Sequence, residues 1–306
     1  MLKVTGTFLD EISFDIPHHN WGRKEWKKDF EAMQAIGIDT VILIRCGMKH
    51  FLAYPSKVLM KQAGCYEPET DVVEMFLDIA DEMNMNFFFG TYDAFGIIPF
   101  ERSVEINKDV IKEAYDLYGH HKSFKGWYLA TEISRRKLGA AEAYAEHGML
   151  AKSLSNNLPV LISPFIANLQ SHDDPELARQ EQIAHEKDWR SILSTIQGAV
   201  DIVAFQDGHI PIHELENYLN INGRLIREYG MQYWTNCETF DRDMPIHFFP
   251  IKWEKMYHKL RIAERTGAEK AITFEFSHFM SPNSAYIQAH GLYDRYREYA
   301  GLKERD

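Results

Sequence analysis

Eight short apolar runs alternate with stretches of helical periodicity along the 306-residue chain. The runs fall at about residues 4–9, 40–46, 86–92, 124–131, 159–166, 201–206, 232–237 and 270–276. No Pro- or Ser-rich linker divides the repeats, and no glycine-rich phosphate-binding motif follows any run. Uninterrupted strand–helix repeats in this number predict one α/β domain over residues 1–306, a single closed (β/α)8 barrel rather than an open doubly wound sheet.

Composition excludes several classes of partner. The net charge is −11 and no basic stripe appears, so we expect no nucleic-acid partner. No apolar run reaches membrane length and the N-terminal residues do not resemble a signal peptide, so we expect no membrane association and a cytoplasmic protein. Cys46, Cys65 and Cys237 match neither a disulfide framework nor a CxxC metal site, which favours reduced thiols. A homo-oligomer is compatible with the sequence, which does not fix the oligomeric state.

Loop lengths differ between the two ends of the predicted barrel. Connections from a helix to the next strand are mostly short, whereas those leaving the first, second, fifth and seventh strands are long. Long loops on one rim mark the C-terminal face, where barrel enzymes keep their active sites. The segment from Gly47 to Glu69 is long enough to predict a lid or a wall of the site.

Carboxylates arrive at several of the predicted strand ends. Glu132 follows the fourth strand and Glu238 the seventh, and these strands face each other across the mouth of an eight-stranded barrel. Cleavage of a glycosidic bond needs two opposed carboxyl groups: one protonates the leaving oxygen and the other supports the oxocarbenium-like centre. We therefore predict Glu132 as general acid/base and Glu238 as nucleophile.

Seven further residues near the same rim are predicted to bind substrate or to provide electrostatic support. Strict alternation predicts that Glu275 points into the barrel when Phe274 and Phe276 point toward the helices. Glu275 could be a nucleophile, a neighbour that sets the pKa of another carboxyl, or a buried partner for Arg45, and a supporting role is favoured. Asp207 precedes a glycine, so a turn is an equal alternative there. Trp234 shares strand parity with Glu238 and is expected inside the barrel beneath it. The full set is Asp10, Arg45, Tyr92, Asp207, Trp234, Glu275 and His278.

Four segments carry a resemblance to a known family. They are GTFLDE (residues 6–11), IPHHNWG (16–22), EWKKDFEAMQAIGIDTVIL (25–43) and AFQDG (204–208). They resemble the bacterial barrels grouped as domain of unknown function 4434, and the acids after the fourth and seventh strands resemble the retaining (β/α)8 glycosidase clan. The resemblance implies a barrel that cleaves sugars. In that clan an Asn precedes the acid and contacts the sugar 2-hydroxyl, whereas this chain has Thr131 there.

Two alternative functions remain open on the same barrel. Histidines near strand ends, with Asp207 and Glu238, could hold the metal of a sugar isomerase or epimerase, although no HxH or HExxH spacing supports this. These histidines are His18, His19, His209, His213 and His278. A carbohydrate-binding barrel without catalysis is the second alternative. The favoured hypothesis is a retaining glycoside hydrolase for a small oligosaccharide or glycoside, requiring no cofactor and no metal.

Overall fold

Eight parallel strands form a closed barrel in the computed structural model, which describes residues 1–134, 139–166, 174–242 and 248–302. Each strand pairs with its neighbours in sequence, and the first pairs with the last. The strands are β1 (Val4–Leu9), β2 (Thr40–Leu43), β3 (Asn86–Gly90), β4 (Phe124–Tyr128), β5 (Val160–Ile162), β6 (Ile202–Gln206), β7 (Gln232–Asn236) and β8 (Lys270–Thr273). The predicted (β/α)8 barrel is confirmed.

Helices surround the barrel, and among the described residues none is long and apolar enough to cross a bilayer. They are α1 (Arg23–Ala35), α2 (Lys57–Ala63), α3 (Val72–Met83), α4 (Phe100–Tyr118), α5 (Ala140–Leu154), α6 (Pro175–Ile196), α7 (Ile212–Glu228), α8 (Trp253–Arg265), α9 (Phe276–Phe279) and α10 (Ile287–Tyr299). Two small hairpins pair Gly47–Met48 with Phe51–Leu52 and Phe240–Asp241 with Phe249–Pro250.

Apolar side chains fill two separate regions of the core. The larger one lies between the strands and the surrounding helices. The smaller one fills the barrel interior, because alternate residues of every strand point inward. Its members are Phe8, Ile42, Ile44, Phe88, Tyr128, Ala130, Leu161, Ile202, Ala204, Trp234 and Ile272. The interior is therefore packed, and a site can form only above it, at the C-terminal ends of the strands.

Helix ends follow local signals that the sequence carries. Gly37, Gly230 and Gly267 follow α1, α7 and α8 with φ of 91°, 75° and 79°. These left-handed residues end the helices as the glycine pattern predicts. Asp174 accepts a hydrogen bond from the Glu176 N–H and so begins α6 earlier than periodicity alone suggests.

The segment from Gly47 to Glu69 is folded rather than an open loop. It contains the first hairpin and α2, neither of which the apolar pattern predicts. Ser56 caps α2 at its N-terminus, and its hydroxyl also donates to Glu113 Oε2 on α4 at 2.5 Å. These contacts attach the segment to the helical layer beside the barrel mouth.

Candidate active site

A cavity of about 540 Å³ opens at the C-terminal ends of the strands. Glu132 and Glu238 both line it, on loops that leave β4 and β7. Tyr128, beneath Glu132, is fully buried and contributes to the cavity floor; its hydroxyl has no hydrogen-bond partner among the described residues. The cavity thus brings together the two residues predicted to be catalytic.

Glu132 lies among charged groups of both signs. Its Oε1 is 3.3 Å from Nη2 of Arg45, and 32% of its side chain is exposed to the cavity. Burial raises the pKa of Glu132; Arg45 lowers it, while the negative charges of Asp93 and Glu238 raise it. The net effect is a raised pKa, so this carboxyl keeps its proton to higher pH than an ordinary glutamate. That property suits a general acid.

Glu238 is enclosed more tightly, with 2% of its side chain exposed. Its Oε1 lies 3.3 Å from Nη2 of Arg242, whereas Oε2 has no hydrogen-bond partner among the described residues. The carboxylate packs directly against Gly208: a Cβ at that glycine would stand 1.5 Å from Oε2. Only a residue without a side chain leaves room for Glu238 in this position.

A buried ion pair supports the main chain at Glu238. Lys259, on α8, places its Nζ 2.6 Å from Oδ1 of Asp207 and 3.1 Å from the carbonyl oxygen of Glu238. The same Asp207 oxygen accepts the Glu238 N–H at 3.0 Å. Burial lowers the pKa of Lys259, but the interactions with Asp207, Cys237 and Glu238 together outweigh burial and raise the pKa, so the lysine stays charged. Asp207 therefore positions Glu238 instead of lining the cavity.

Sequence reasoning missed Lys259, although a signal for it exists. Lys259 stands between Met256, Leu260 and Ala263 on the buried face of α8. A lysine on the apolar side of a helix needs a buried partner, because an unpaired buried charge is strongly unfavourable. The position of Lys259 on the apolar face of α8 is therefore enough to predict that it is buried and paired with an acidic group.

Other polar residues also line the cavity: Asp93, Gln206 and Asn236 have no predicted role, whereas His209 is one of the histidines considered as a metal ligand. Asp93 lies with its Oδ2 4.0 Å from Nη1 of Arg45. Gln206 and Asn236, at the ends of β6 and β7, bind Ser163 O and Ser163 Oγ. Burial and the charge of Arg242 lower the pKa of His209 to about 4, so its imidazole is neutral at pH 7. Together these groups surround the two glutamates with hydrogen-bonding capacity.

Of the seven predicted supporting residues, Arg45 lines the cavity and six do not. Tyr92 is buried, and its hydroxyl donates to the Lys49 carbonyl oxygen at 2.7 Å. Asp10 is buried and accepts the N–H groups of Ile12 and Ser13, which fixes the loop after β1. Trp234 lies inside the barrel as predicted, but beside Lys270 at the start of β8, too low to reach the cavity.

The orientation predicted for Glu275 is wrong, and His278 lies beside it. β8 ends at Thr273, so strand alternation no longer fixes side-chain direction, and Phe274 lines the cavity instead. Glu275 is fully buried, accepts the N–H of Ser277 and of His278 at the start of α9, and forms an ion pair with the His278 ring. His278 lines a second cavity of about 330 Å³.

Candidate metal ligands gather away from the two glutamates. Within the described ranges, His19, Glu275 and His278 place ligand atoms within 4.8 Å of one another, but none of them lines the cavity of Glu132. Nε2 of His278 contacts the Pro17 carbonyl oxygen, and Nδ1 is taken by Glu275. The set is therefore already an ion pair with a stacked neighbour, His19, whose ring centroid lies 3.7 Å from that of His278.

The remaining histidines named as possible ligands are dispersed. His18 contacts the Ser13 carbonyl oxygen, and His213 lies on the surface near Glu214. Only His209 lines the cavity, and Asp207 is engaged by Lys259. The metal set considered for an isomerase is therefore not assembled by these residues.

The sequence matches a family model over nearly its whole length. The model describes a domain of unknown function, DUF4434, and matches residues 4–286. The chain belongs to the DUF4434 family. No curated protein matches it.

Solved structures resemble this DUF4434 chain to different degrees. A crystal structure from Bacteroides thetaiotaomicron VPI-5482, described as a "putative alpha-L-fucosidase", is 51% identical, covers 99% of this chain and 94% of its own, and superposes with a TM-score of 0.93. An endo-1,4-beta-D-mannanase from Thermotoga petrophila RKU-1 is 13% identical, covers 99% of each chain and has a TM-score of 0.63. A GH2 beta-galacturonidase from Eisenbergiella tayi is 13% identical with a TM-score of 0.57, and this chain spans 52% of it. The last two show a shared fold only.

Proposed function

We propose that this DUF4434 protein is a retaining glycoside hydrolase that uses Glu132 as general acid/base and Glu238 as nucleophile. The observation that carries the proposal is that both carboxyls line one cavity, close enough for the charge of Glu238 to raise the pKa of Glu132. Two such groups with different environments divide naturally into a proton donor and an anion. The 51% identical relative, described as a fucosidase, supports a sugar as substrate.

The first chemical step would break the bond between the anomeric carbon and the leaving oxygen. Protonated Glu132 gives its proton to that oxygen, which departs as an alcohol, while a Glu238 oxygen bonds to the anomeric carbon. Oε2 of Glu238 has no hydrogen-bond partner among the described residues, so its lone pairs are free for this attack once the carboxylate turns that oxygen from Gly208 toward the cavity. Arg242 contacts the other oxygen.

The second step would release the sugar from Glu238. Glu132, now ionised, takes a proton from water, and the resulting hydroxide equivalent bonds to the anomeric carbon as the ester to Glu238 breaks. Glu132 is then protonated again, so the cycle closes without a cofactor. The positive charge of Arg45 stabilises the ionised form of Glu132 between the two steps.

The proposal is tested by hydrolysis of a panel of aryl glycosides that begins with 4-nitrophenyl α-L-fucoside. The Glu238→Gln variant should lose at least about 1,000-fold in kcat/KM on every glycoside, because it removes the nucleophile. The Glu132→Gln variant should lose about 1,000-fold in kcat/KM on an alkyl glycoside, whose leaving oxygen needs a proton, and much less on the 4-nitrophenyl glycoside, whose leaving group departs without one. Glu216→Gln is the matched control, because it makes the same change at an exposed ion pair on α7 that does not line the cavity. We expect that control to stay within about threefold, as no role in proton transfer depends on it.

Three results would decide against the proposal. Activity that survives in both glutamate variants would remove these residues from the chemistry. Sugar binding by the wild type without any cleavage would instead favour a carbohydrate-binding barrel. Activity that disappears on chelation and returns with a divalent cation would favour the isomerase class. Anomeric analysis of the first product by NMR tests retention separately.

A further inference from the structure

Two phenylalanines stand exposed at the mouth of the cavity. Phe14, on the loop after β1, is 54% exposed, and Phe95, on the loop after β3, is 53% exposed. Their ring centroids lie 5.1 Å apart in an edge-to-face arrangement. We refer to Phe14 and Phe95 as the rim pair.

The rim pair is held in place although it is exposed. Nζ of Lys49 lies 3.8 Å from the centroid of Phe14 and 5.0 Å from that of Phe95. Lys49 is itself fixed, because its N–H donates to the carbonyl oxygen of Asp93 and its carbonyl accepts the Tyr92 hydroxyl. Two aromatic rings are thus presented to solvent at a defined position, which favours a binding surface over a random exposed side chain.

The rim pair is continuous with the catalytic cavity. Phe95 lines the cavity, and so do Ser13 and Asp15, the residues on either side of Phe14. The Phe95 N–H donates to Oδ1 of Asp93 at 2.9 Å, so the ring belongs to the same loop as a carboxylate that acts on Glu132. The rim pair therefore lies at the part of the mouth served by the proposed proton donor.

A proton donor lies beside the leaving group of a glycosidic bond. We infer that the rim pair binds the leaving-group part of the substrate, and that this part is a second sugar ring, whose aliphatic C–H face packs against aromatic rings. The inference rests on the proposed function, because only the assignment of Glu132 as acid fixes which side of the bond faces Phe95. It names the substrate class as disaccharides or short oligosaccharides.

The rim pair is continuous with the cavity, which favours a ligand as its occupant. A sugar bound below would place its leaving group toward the mouth, where burial of the exposed ring faces stabilises the complex. A second copy of the chain covering the same rings would close the mouth that Glu132 and Glu238 share. The surface is thus better suited to a ligand that continues out of the cavity.

The test compares two substrates that share the sugar cleaved in the panel, the methyl glycoside and the matching disaccharide. Phe14→Ala, Phe95→Ala and the double variant are measured beside Ile183→Ala, which removes a 59% exposed apolar side chain from α6. We expect the double variant to raise KM for the disaccharide about tenfold and to leave the methyl glycoside within twofold. Phe95→Trp, unlike Phe95→Ala, should keep KM for the disaccharide near the wild-type value, because it keeps an aromatic ring at the mouth.

The outcomes separate the inference from the proposed function. If wild type cleaves no glycoside of the panel, the proposed function fails and the inference falls with it; if it cleaves an aryl glycoside but not the matching disaccharide, the inference alone fails. If wild type cleaves both and the double variant changes KM for both equally or for neither, the inference alone is overturned. A dimeric wild type that becomes monomeric in the double variant, with an unchanged ratio of the two KM values, would assign the rim pair to contacts between copies.

Discussion

Nζ of Lys259 lies 2.6 Å from Oδ1 of Asp207, and both side chains are buried beneath the backbone of Glu238. The pair thereby sets the direction in which Glu238 leaves β7. A buried ion pair adds little stability against a well-packed apolar replacement, but breaking it leaves an unpaired charge. The role of the Asp207–Lys259 pair in this protein is therefore to fix the position of the Glu238 carboxylate.

Lys259→Met should therefore lower both stability and activity. We expect a loss of about 3 kcal/mol in unfolding free energy, because Asp207 is left as an uncompensated buried anion. The double variant Asp207→Asn/Lys259→Met keeps an acceptor for the Glu238 N–H and should recover part of that loss while kcat stays low. Urea denaturation and kcat measured separately from KM check this; full recovery of kcat in the double variant would contradict the positioning role.

The pH profile should respond in opposite directions to two neighbours of Glu132. Removing the negative charge in Asp93→Asn lowers the pKa of Glu132, so the alkaline limb of kcat/KM should move to lower pH. Removing the positive charge in Arg45→Met raises that pKa, so the limb should move to higher pH. The two limbs should move in opposite directions, and a pH profile of kcat/KM measured on each variant checks this. Arg23→Gln, at an exposed ion pair on α1, is the control and should leave the profile unchanged.

Gly208→Ala should displace Glu238. The new Cβ would stand 1.5 Å from Oε2, so the carboxylate must move by more than an ångström. A misplacement of that size lowers kcat/KM by about 100-fold. Gly291→Ala is the matched control, because Gly291 lies within α10 with no atom within 4 Å of an added Cβ. It should raise stability by about 0.5–1 kcal/mol and leave kcat unaltered; equal activity in the two variants would show that Gly208 is not required.

Stability should depend on pH through His278. Burial lowers the pKa of His278, but the charge and hydrogen bond of Glu275, the hydrogen bond to the Pro17 carbonyl and the charge of Asp10 together outweigh burial and raise the pKa to about 9 from 6.5. Glu11 and His19 are further titratable neighbours of His278. A raised histidine pKa stabilises the fold below pH 6.5, and this contribution is lost as pH rises through 9. His278→Gln should therefore destabilise the protein more at pH 6 than at pH 10, by on the order of 3 kcal/mol. Chemical denaturation at the two pH values measures it, and an equal loss at both would contradict the expectation.

Strand periodicity predicted the parts of the molecule that depend on repeated local patterns. All eight strands lie within the predicted runs, and the ends of β4 and β7 bring Glu132 and Glu238 to one cavity. These results follow because apolar alternation fixes the barrel, and the barrel fixes which strand ends meet. The chemical assignment of the two glutamates stays a prediction.

Side-chain direction beyond a strand end could not be predicted in the same way. Glu275 turns away from the cavity because the chain leaves β8 at Thr273, and Asp207 turns toward Lys259, a partner 52 residues later in sequence. Such positions depend on pairing between charged residues that are far apart in the sequence, and this pairing produces no periodic pattern from which it could be predicted. The rim pair could not be predicted from the sequence for a related reason. Phe14 and Phe95 lie on different loops and become neighbours only when the chain folds.

The aromatic side chains that fill the barrel interior limit the route by which ligands can enter and leave the cavity. Phe88, Tyr128 and Trp234 seal the path below the two glutamates, so nothing can pass through the barrel axis. In the proposed reaction, the substrate, the departing alcohol and the incoming water would therefore all use the mouth beside Phe14 and Phe95. The alcohol would have to leave the mouth before water could reach the sugar bound to Glu238. A leaving group that dissociates slowly would favour transfer of the sugar back to itself or to another alcohol over hydrolysis.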